Sequence, residues 1–443
     1  MGYDCAGGFL LAVVIGLIVF IRTRLLAIPL ERDEGEYAYA GQLMLEGIPP
    51  YQLAYNMKFP GIYAAYALIM AMVGQTSMGI HLGLLIVNIA TMVVVFLIAK
   101  RLIDSTAGIA AAASYAVLSV SSAVLGLAAH ASHFAMLPAL LGALVLLNPV
   151  LPKKMVFVSG ILFGVALLMK QPAIFFICFG AVYLFFRDWR SRLGFSQILL
   201  RSTLFIAAVA LPLAGTCLWL WRAGIISKFW FWTVLYAQDY ARLVPISEVP
   251  GNFLEQFGRV IRFGWPLWVL AALGAIASLF DKTIRNAAVF ILTFLLFSGL
   301  ALSSGFYFRK HYFIFVLPAI CFLVGAIVAS ASNFCSELAR PLRLFSLCVL
   351  GAAISFALFA EREILLFQSP SVASHSIYRE SPFAEAIRVA QYLREHTNPT
   401  DTIAVLGSEP EIYFYARRHS ATGYIYMYGL MELKGLPREC SAK

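Results

Sequence analysis

The sequence predicts an α-helical polytopic membrane protein with about eleven transmembrane helices and a small C-terminal α/β segment. Composition is the first reason. Of 443 residues, 61% are apolar and 13% are charged, about half the roughly 25% charge of a soluble domain. Mean hydropathy is the second, at +0.82. The third is that apolar runs recur along the chain with basic residues between them. A soluble globule lacks the polar cover such a chain would need. The same composition excludes disorder. Barrel strands, with about ten residues of apolar and polar alternation, are absent. The net charge of +10 fits basic interfacial loops. No basic stripe on a soluble helix accompanies it, so nucleic acid is not an expected partner.

The expected spans begin near Gly8–Leu26, Met78–Ala99, Ala107–Leu127, Phe134–Leu147, Met155–Met169 and Pro172–Phe186. They continue near Leu199–Trp221, Trp265–Phe280, Ala287–Leu302, Tyr312–Ser330 and Leu344–Ala360. Pro60–Gly74 is apolar but short, in the range of an interfacial or re-entrant segment. If it does not cross, five loops share the side of the N-terminus. They are Lys100-Arg101, Lys153-Lys154, Arg187/Arg190/Arg192, Lys282/Arg285 and Arg340/Arg343. The positive-inside rule makes that side cytoplasmic, although the basic loop 222–264 falls outside. The N-terminus MGYDCAGG has no basic signal region and no myristoylation Ser/Thr, so the first span is expected to stay attached. The seven cysteines include Cys5, Cys178, Cys321 and Cys440 and form no CxxC pair, which argues against a disulfide framework or cysteine metal site.

Two domains are expected: a multi-span membrane domain over 1–360, with a large first outer loop at 27–77, and a small extracytoplasmic segment over 361–443. In that segment FAEAIRVAQYLREHT reads as a helix with Phe383, Ile387, Ala390 and Leu393 on one face. TIAVLG reads as a strand, and Ser408 as the cap of a second helix with Glu411 completing a capping box. SATGYIYMYG then reads as extended. So few elements are too little for an independent sheet, so the piece leans on the membrane domain or is truncated.

The first loop carries the strongest chemical signal. ERDEGEYAYAGQLMLEG places Asp33, Glu34 and Glu36 directly after a span. On a helix Asp33, Glu36, Tyr37 and Ala40 share a face. A carboxylate there can act as a base, bind a metal, or merely cap the helix Glu34–Leu45 through Asp33. The aromatic run from Phe229 to Tyr240 reads as an interfacial belt, or as a wall for a sugar or lipid.

RDEGEYAYAG, then GIPPY and KFPGIY, resembles the first outer loop of bacterial GT-C glycosyltransferases, the family of protein O-mannosyltransferases and lipid A aminoarabinose transferases. The likeness continues in MKQPA (Met169–Ala173), in YFRKHYFIFVLPA (Tyr307–Ala319) and in the tail TIAVLGSEPEIYFYARRHSATGY. It implies a GT-C-like fold and transfer of a hexosyl or pentosyl group from a polyprenyl-phosphate donor. The acceptor would be a lipid, glycan or protein, and the site would face the periplasm or exterior of the bacterial inner membrane. It implies that Asp33 is the catalytic carboxylate, with Glu34 supporting. Tyr37, Lys58, His133, Lys170, Gln171, Arg309, Lys310 and His311 are the expected substrate-binding residues. The cations suit a lipid phosphate leaving as an anion, and each has a simpler reading as a snorkelling anchor.

One departure stands out. Many relatives carry an acid in the outer loop after the third span, where this chain has LAAHASHFAMLP with His130 and His133. Either His133 takes the acid's place or the acid is dispensed with. No cofactor is expected; a His-rich divalent-metal site is the weaker alternative. A polysaccharide polymerase or ligase using lipid-linked sugars is the alternative function. A transporter or flippase fits less well, because the spans are nearly free of charge at their centres.

Overall fold

The computed structural model describes residues 2–338 and 343–427. Arg340, Cys440 and the end of the expected extended tail at Tyr428–Gly429 lie outside them. So do the side chains of Cys5, Cys335 and Arg343. Cys178, Cys217, Cys321 and Cys348 are free thiols.

The chain divides into two compact units. The first gathers the residues up to Leu26, His81–Leu218 and Gln238–Ser369; the second gathers Ala27–Ile80, Trp219–Ala237 and the chain from Pro370. The apolar stretches expected to cross are helical. Five helices among the described residues are long and apolar enough to span: Ser77–Leu102, Gln171–Arg190, Phe195–Arg222, Arg285–Leu302 and Leu317–Phe334. A sixth candidate is the pair Ile246–Ile261 and Trp265–Phe280, which meet at 113°. Other expected spans are shorter helices, such as Ser105–Leu118 with 14 residues and Ala131–Leu146 with 16. At about 1.5 Å per residue, a 14-residue helix is shorter than the roughly 30 Å hydrocarbon core. The eleven-span count therefore does not follow from helix length.

Two expected spans differ in outline, each for a local reason. The span expected over Ala107–Leu127 stops as a helix at Leu118. Leu125 is left-handed, and a side chain on Gly126 would meet the Ser119 carbonyl at 2.2 Å. The resulting shelf receives buried Arg22, which donates to the carbonyls of Ser119 at 3.1 Å and Gly126 at 2.9 Å. The span expected from Tyr312 begins at Leu317, after a 3-10 turn over Lys310–Phe315. Pro318 suits that start, since the first turn needs no N–H from it.

Small residues bring the helices of the membrane unit together. A Cβ on Gly160 would lie 2.6 Å from the Phe205 carbonyl, and one on Gly164 2.4 Å from that of Val209. Lipid gives helices no hydrophobic reason to associate, so close backbone contact supplies dispersion energy instead. Phe176, Phe179, Phe290 and Phe294 fill the neighbouring interior with tilted and edge-on ring contacts.

The second unit is built on the acidic helix Arg32–Leu45. Its N-cap is Glu31, not Asp33. The Glu31 carboxylate accepts from the Glu34 N–H at 3.0 Å, and the Glu34 carboxylate accepts from the Glu31 N–H at 3.1 Å. This capping box relieves Asp33 of the end of the helix. The helix packs on the short apolar helix Pro60–Val73 and on the tail helix Glu411–Ala416. In the tail, Thr402–Ile403 and His419–Ser420 form a parallel pair, with Thr402 opposite His419. The tail strand is thus shorter than TIAVLG. Ser408 does not cap the second tail helix, because Pro410 takes that place and the Ser408 N–H goes to the Glu409 carboxylate at 2.7 Å. The buried face of Phe383–His396 is Phe383, Ala386 and Ala390. Ile387 is exposed instead. The small alanines permit the close contact with the second tail helix.

Gly35 is where the acidic helix meets the tail. A Cβ there would lie 2.5 Å from the backbone nitrogen of Glu411 and 2.6 Å from its Cβ. Gly35→Ala must push two backbones apart, which we expect to destabilise the unit by roughly 1–3 kcal/mol. Limited proteolysis should then cut the tail sooner than in wild type; equal protection would show that the contact is not closely held.

Candidate functional site

In the second unit Lys58 gathers the acidic residues. It leads, through Phe59, into the helix Pro60–Val73, whose Pro60 occupies the first helical position. Its Nζ lies 3.3 Å from Asp33 Oδ1 and 3.8 Å from Glu36 Oε2, and donates to the Tyr37 hydroxyl at 3.0 Å. Asp33, Glu36 and Tyr37 reach one cation because helical spacing places them on one face. The side chains of Lys58 and Asp33 are 16% and 19% exposed, so the pair is open to a ligand. Glu36 is fully buried. It accepts hydrogen bonds from the hydroxyls of Tyr63 at 2.6 Å and Tyr426 at 2.9 Å.

The electrostatics follow from this arrangement. Burial pushes the Glu36 carboxyl up to about 7; Lys58 opposes this, Asp33 adds to it, and the Tyr63 and Tyr426 hydroxyls oppose it. Burial also works against charge on Lys58, yet Asp33, Tyr37 and Glu36 outweigh it and hold the ammonium well above its ordinary range. The unit thus presents a firmly charged ammonium beside Asp33 and a second acid poised to change protonation near neutral pH.

Glu34 sits apart from this cluster in the capping box. Sequence reasoning did not single out Tyr63 and Tyr426, and it left Glu36 without a role. Glu36 was within reach, since it shares the face of Asp33. The hydroxyl of Tyr426 arrives from 390 residues away, with no local signal. The same tail is fixed by the Tyr55 N–H, which donates to the Gly423 carbonyl at 2.7 Å. Tyr55 stacks on Trp232 at 5.2 Å with 19° between the rings, so part of the aromatic run is a buried platform.

In the first unit the expected residues form a second group. Lys170 ends the helix Lys153–Met169, is buried, and donates to the Ser132 hydroxyl at 2.8 Å. Its ammonium lies 4.3 Å from the Tyr312 ring centre. Gln171 opens the following 3-10 turn. His130 and His311 are buried and stack at 4.1 Å. His133 is buried, and its ring nitrogens have no hydrogen-bond partner among the described residues. Arg309 is exposed and donates to the Tyr240 hydroxyl at 2.6 Å, beside the stacked rings of Tyr240 and Tyr307. Lys310 is half-buried and favours ionisation of the Glu361 carboxyl, which burial otherwise raises.

Residues 58–215 match the sequence family described as dolichyl-phosphate-mannose-protein mannosyltransferase. No curated protein sequence matches the chain. Among solved structures, the fold is similar to ArnT from Cupriavidus metallidurans in the apo state. The TM-score is 0.64 at 15% identity, over 95% of this chain and 86% of that one. ArnT from the same organism bound to undecaprenyl phosphate gives 0.62 at 14% identity, with the same coverage. The Archaeoglobus fulgidus oligosaccharyltransferase with a tethered acceptor peptide gives 0.56 at 12% identity, over 94% of this chain and 64% of that one. At these identities the likeness is one of fold. The chain is a multi-pass membrane protein with the GT-C fold, and its residues 58–215 match the sequence model described as dolichyl-phosphate-mannose-protein mannosyltransferase.

Proposed function

We propose that the chain transfers a hexosyl or pentosyl group from a polyprenyl-phosphate donor to a lipid, glycan or protein acceptor. The Asp33–Lys58 pair at the start of the acidic helix carries this reading. Transfer from such a donor releases a phosphate monoester, an anion that needs a cation more than an acid. Lys58 is that cation, and it stays charged in its partly buried setting. Asp33 is the base, accepting the proton of the attacking hydroxyl. Glu34 supports it by fixing the first turn, and Tyr37 orients the ammonium. The solved relative that holds undecaprenyl phosphate supports the donor class.

In the membrane unit Lys170, Arg309 and Lys310 are cations suited to a lipid phosphate, with Gln171, His133 and His311 as neighbouring polar groups. The same unit contains a cavity of about 580 Å³ lined by residues including Phe253, Phe257, Trp268, Leu295 and Phe313. Its apolar lining suits an isoprenoid chain.

Mass spectrometry of glycolipids from a deletion strain tests the activity. A lipid-linked sugar should accumulate while one glycoform disappears; an unchanged profile of both would overturn the proposal. The outward-facing site is tested by labelling. A cysteine introduced between Asp33 and Lys58 should react with an impermeant thiol reagent applied outside, and one beside Lys153 should not. The reverse pattern would place the site on the cytoplasmic face.

A further inference from the structure

Lys58 faces two carboxylates, and the proposed reaction uses only one. With Asp33 and Glu36 both ionised, the three side chains carry one net negative charge, which repels an incoming phosphate. With Glu36 neutral, Asp33 and Lys58 balance. The groups facing Glu36 are Lys58 and Asp33, the hydroxyls of Tyr63 and Tyr426, and the neighbouring Tyr37. No arginine or second lysine appears among them in the described residues. Glu36 is also held from three separate segments: its own helix, the helix Pro60–Val73 through Tyr63, and the tail through Tyr426.

We infer that Glu36 is a positioning residue that couples phosphate capture to proton uptake: Lys58 turns toward a lipid phosphate when Glu36 takes up a proton and releases its share of the ammonium. This rests on the proposed function and adds a regulatory step to it. The proton comes from solvent, is bound by the Glu36 carboxylate, and returns to solvent when the phosphate leaves. No bond of the substrate is involved. The tail becomes part of this device, because Tyr426 helps to set how readily Glu36 ionises. The carboxyl, raised to about 7, places the change within the physiological range.

The sign follows from linkage. Phosphate binds the form with neutral Glu36 more tightly, so bound phosphate raises the affinity of Glu36 for its proton by the same factor. Affinity should be high below the transition, fall as pH rises through about 7, and level off once Glu36 is ionised in both states. A coupling of one pKa unit gives about a tenfold change.

The test measures binding of undecaprenyl phosphate to the full chain in nanodiscs between about pH 5.5 and 8.5, across the range in which the phosphate itself also titrates. Wild type should lose about tenfold more affinity across this range than Glu36→Gln, which mimics the neutral acid. The ligand's own ionisation is common to both proteins, so the difference isolates Glu36. Tyr426→Phe removes a hydrogen bond that favours the ionised carboxylate, so the transition should move to higher pH. It also tests the idea if Glu36→Gln fails to fold. Parallel pH curves for wild type and Glu36→Gln, or an unmoved transition in Tyr426→Phe, would overturn the coupling while leaving the transferase reading intact. Absence of binding in every protein at every pH would overturn both.

Discussion

Asp33→Asn should express and fold normally yet lose about 10²–10⁴-fold in turnover, the usual contribution of a general base. Asparagine keeps the size of the side chain and can still accept a hydrogen bond from Lys58, but it cannot take a proton from the attacking hydroxyl. Ordinarily this substitution would be ambiguous, because an acid at a helix start can also be a cap. Here the cap belongs to Glu31 and Glu34, whose reciprocal bonds do not involve the Asp33 side chain. A thermal unfolding midpoint close to wild type is therefore expected together with the loss of rate. Glu34→Gln should do little, since glutamine also completes a capping box. Turnover above about a tenth of wild type in Asp33→Asn, alongside inactivity in Glu34→Gln, would exchange the two roles. Full activity in both would remove the acidic helix from the chemistry.

How much of this site the sequence reveals depends on distance along the chain. Asp33, Glu36 and Tyr37 lie within one turn or so, and helical periodicity alone places them together. Lys58 follows from its motif, and the structure brings it to the same face. Tyr63 sits one turn into a helix recognisable from its apolar run and leading proline. Tyr426 was beyond reach, because its partner depends on how the tail folds back, and Tyr-rich extended sequence does not encode an address. The Ser408 cap fails for a related reason. The capping spacing was present, but Pro410 and the Glu409 carboxylate redirect the turn. Ile387 was assigned inward on hydrophobicity; the close packing of two short helices instead selects Ala386 and Ala390. In the membrane unit, hydropathy locates the helices but not the point where Gly126 folds the chain onto Ser119 to hold Arg22. The helical membrane class was thus legible from composition and hydropathy and the GT-C fold from the family resemblance, whereas the count of eleven spans was not. What escaped were contacts set by backbone approach and long-range return.

Lys58→Ala should weaken use of the donor by roughly ten- to a hundred-fold, with the loss in kcat/KM for the donor larger than any loss of fold. A charge-assisted hydrogen bond to a phosphate contributes about 1.5–3 kcal/mol, and about 1.4 kcal/mol corresponds to tenfold. Removing one member of a buried ion pair can cost about 3–5 kcal/mol in stability, because an uncompensated charge remains. Two features reduce that cost here. Asp33 is partly open to water, so it is not stranded. Glu36 can answer by keeping its proton: Lys58 opposes the rise of its carboxyl, and loss of the lysine raises it further. The stability penalty should consequently be smaller below about pH 7 than above it, whereas the defect in donor use should persist at both. Arg309→Ala provides the contrast. Arg309 is exposed and bound to the Tyr240 hydroxyl, so truncating it strands no buried acid. If Lys58→Ala retains wild-type turnover at limiting donor, the lysine is a structural counter-charge for two acids. Equal losses in kcat and in kcat/KM, with KM for the donor unchanged, would instead mean that Lys58 acts on the leaving phosphate in the transition state alone.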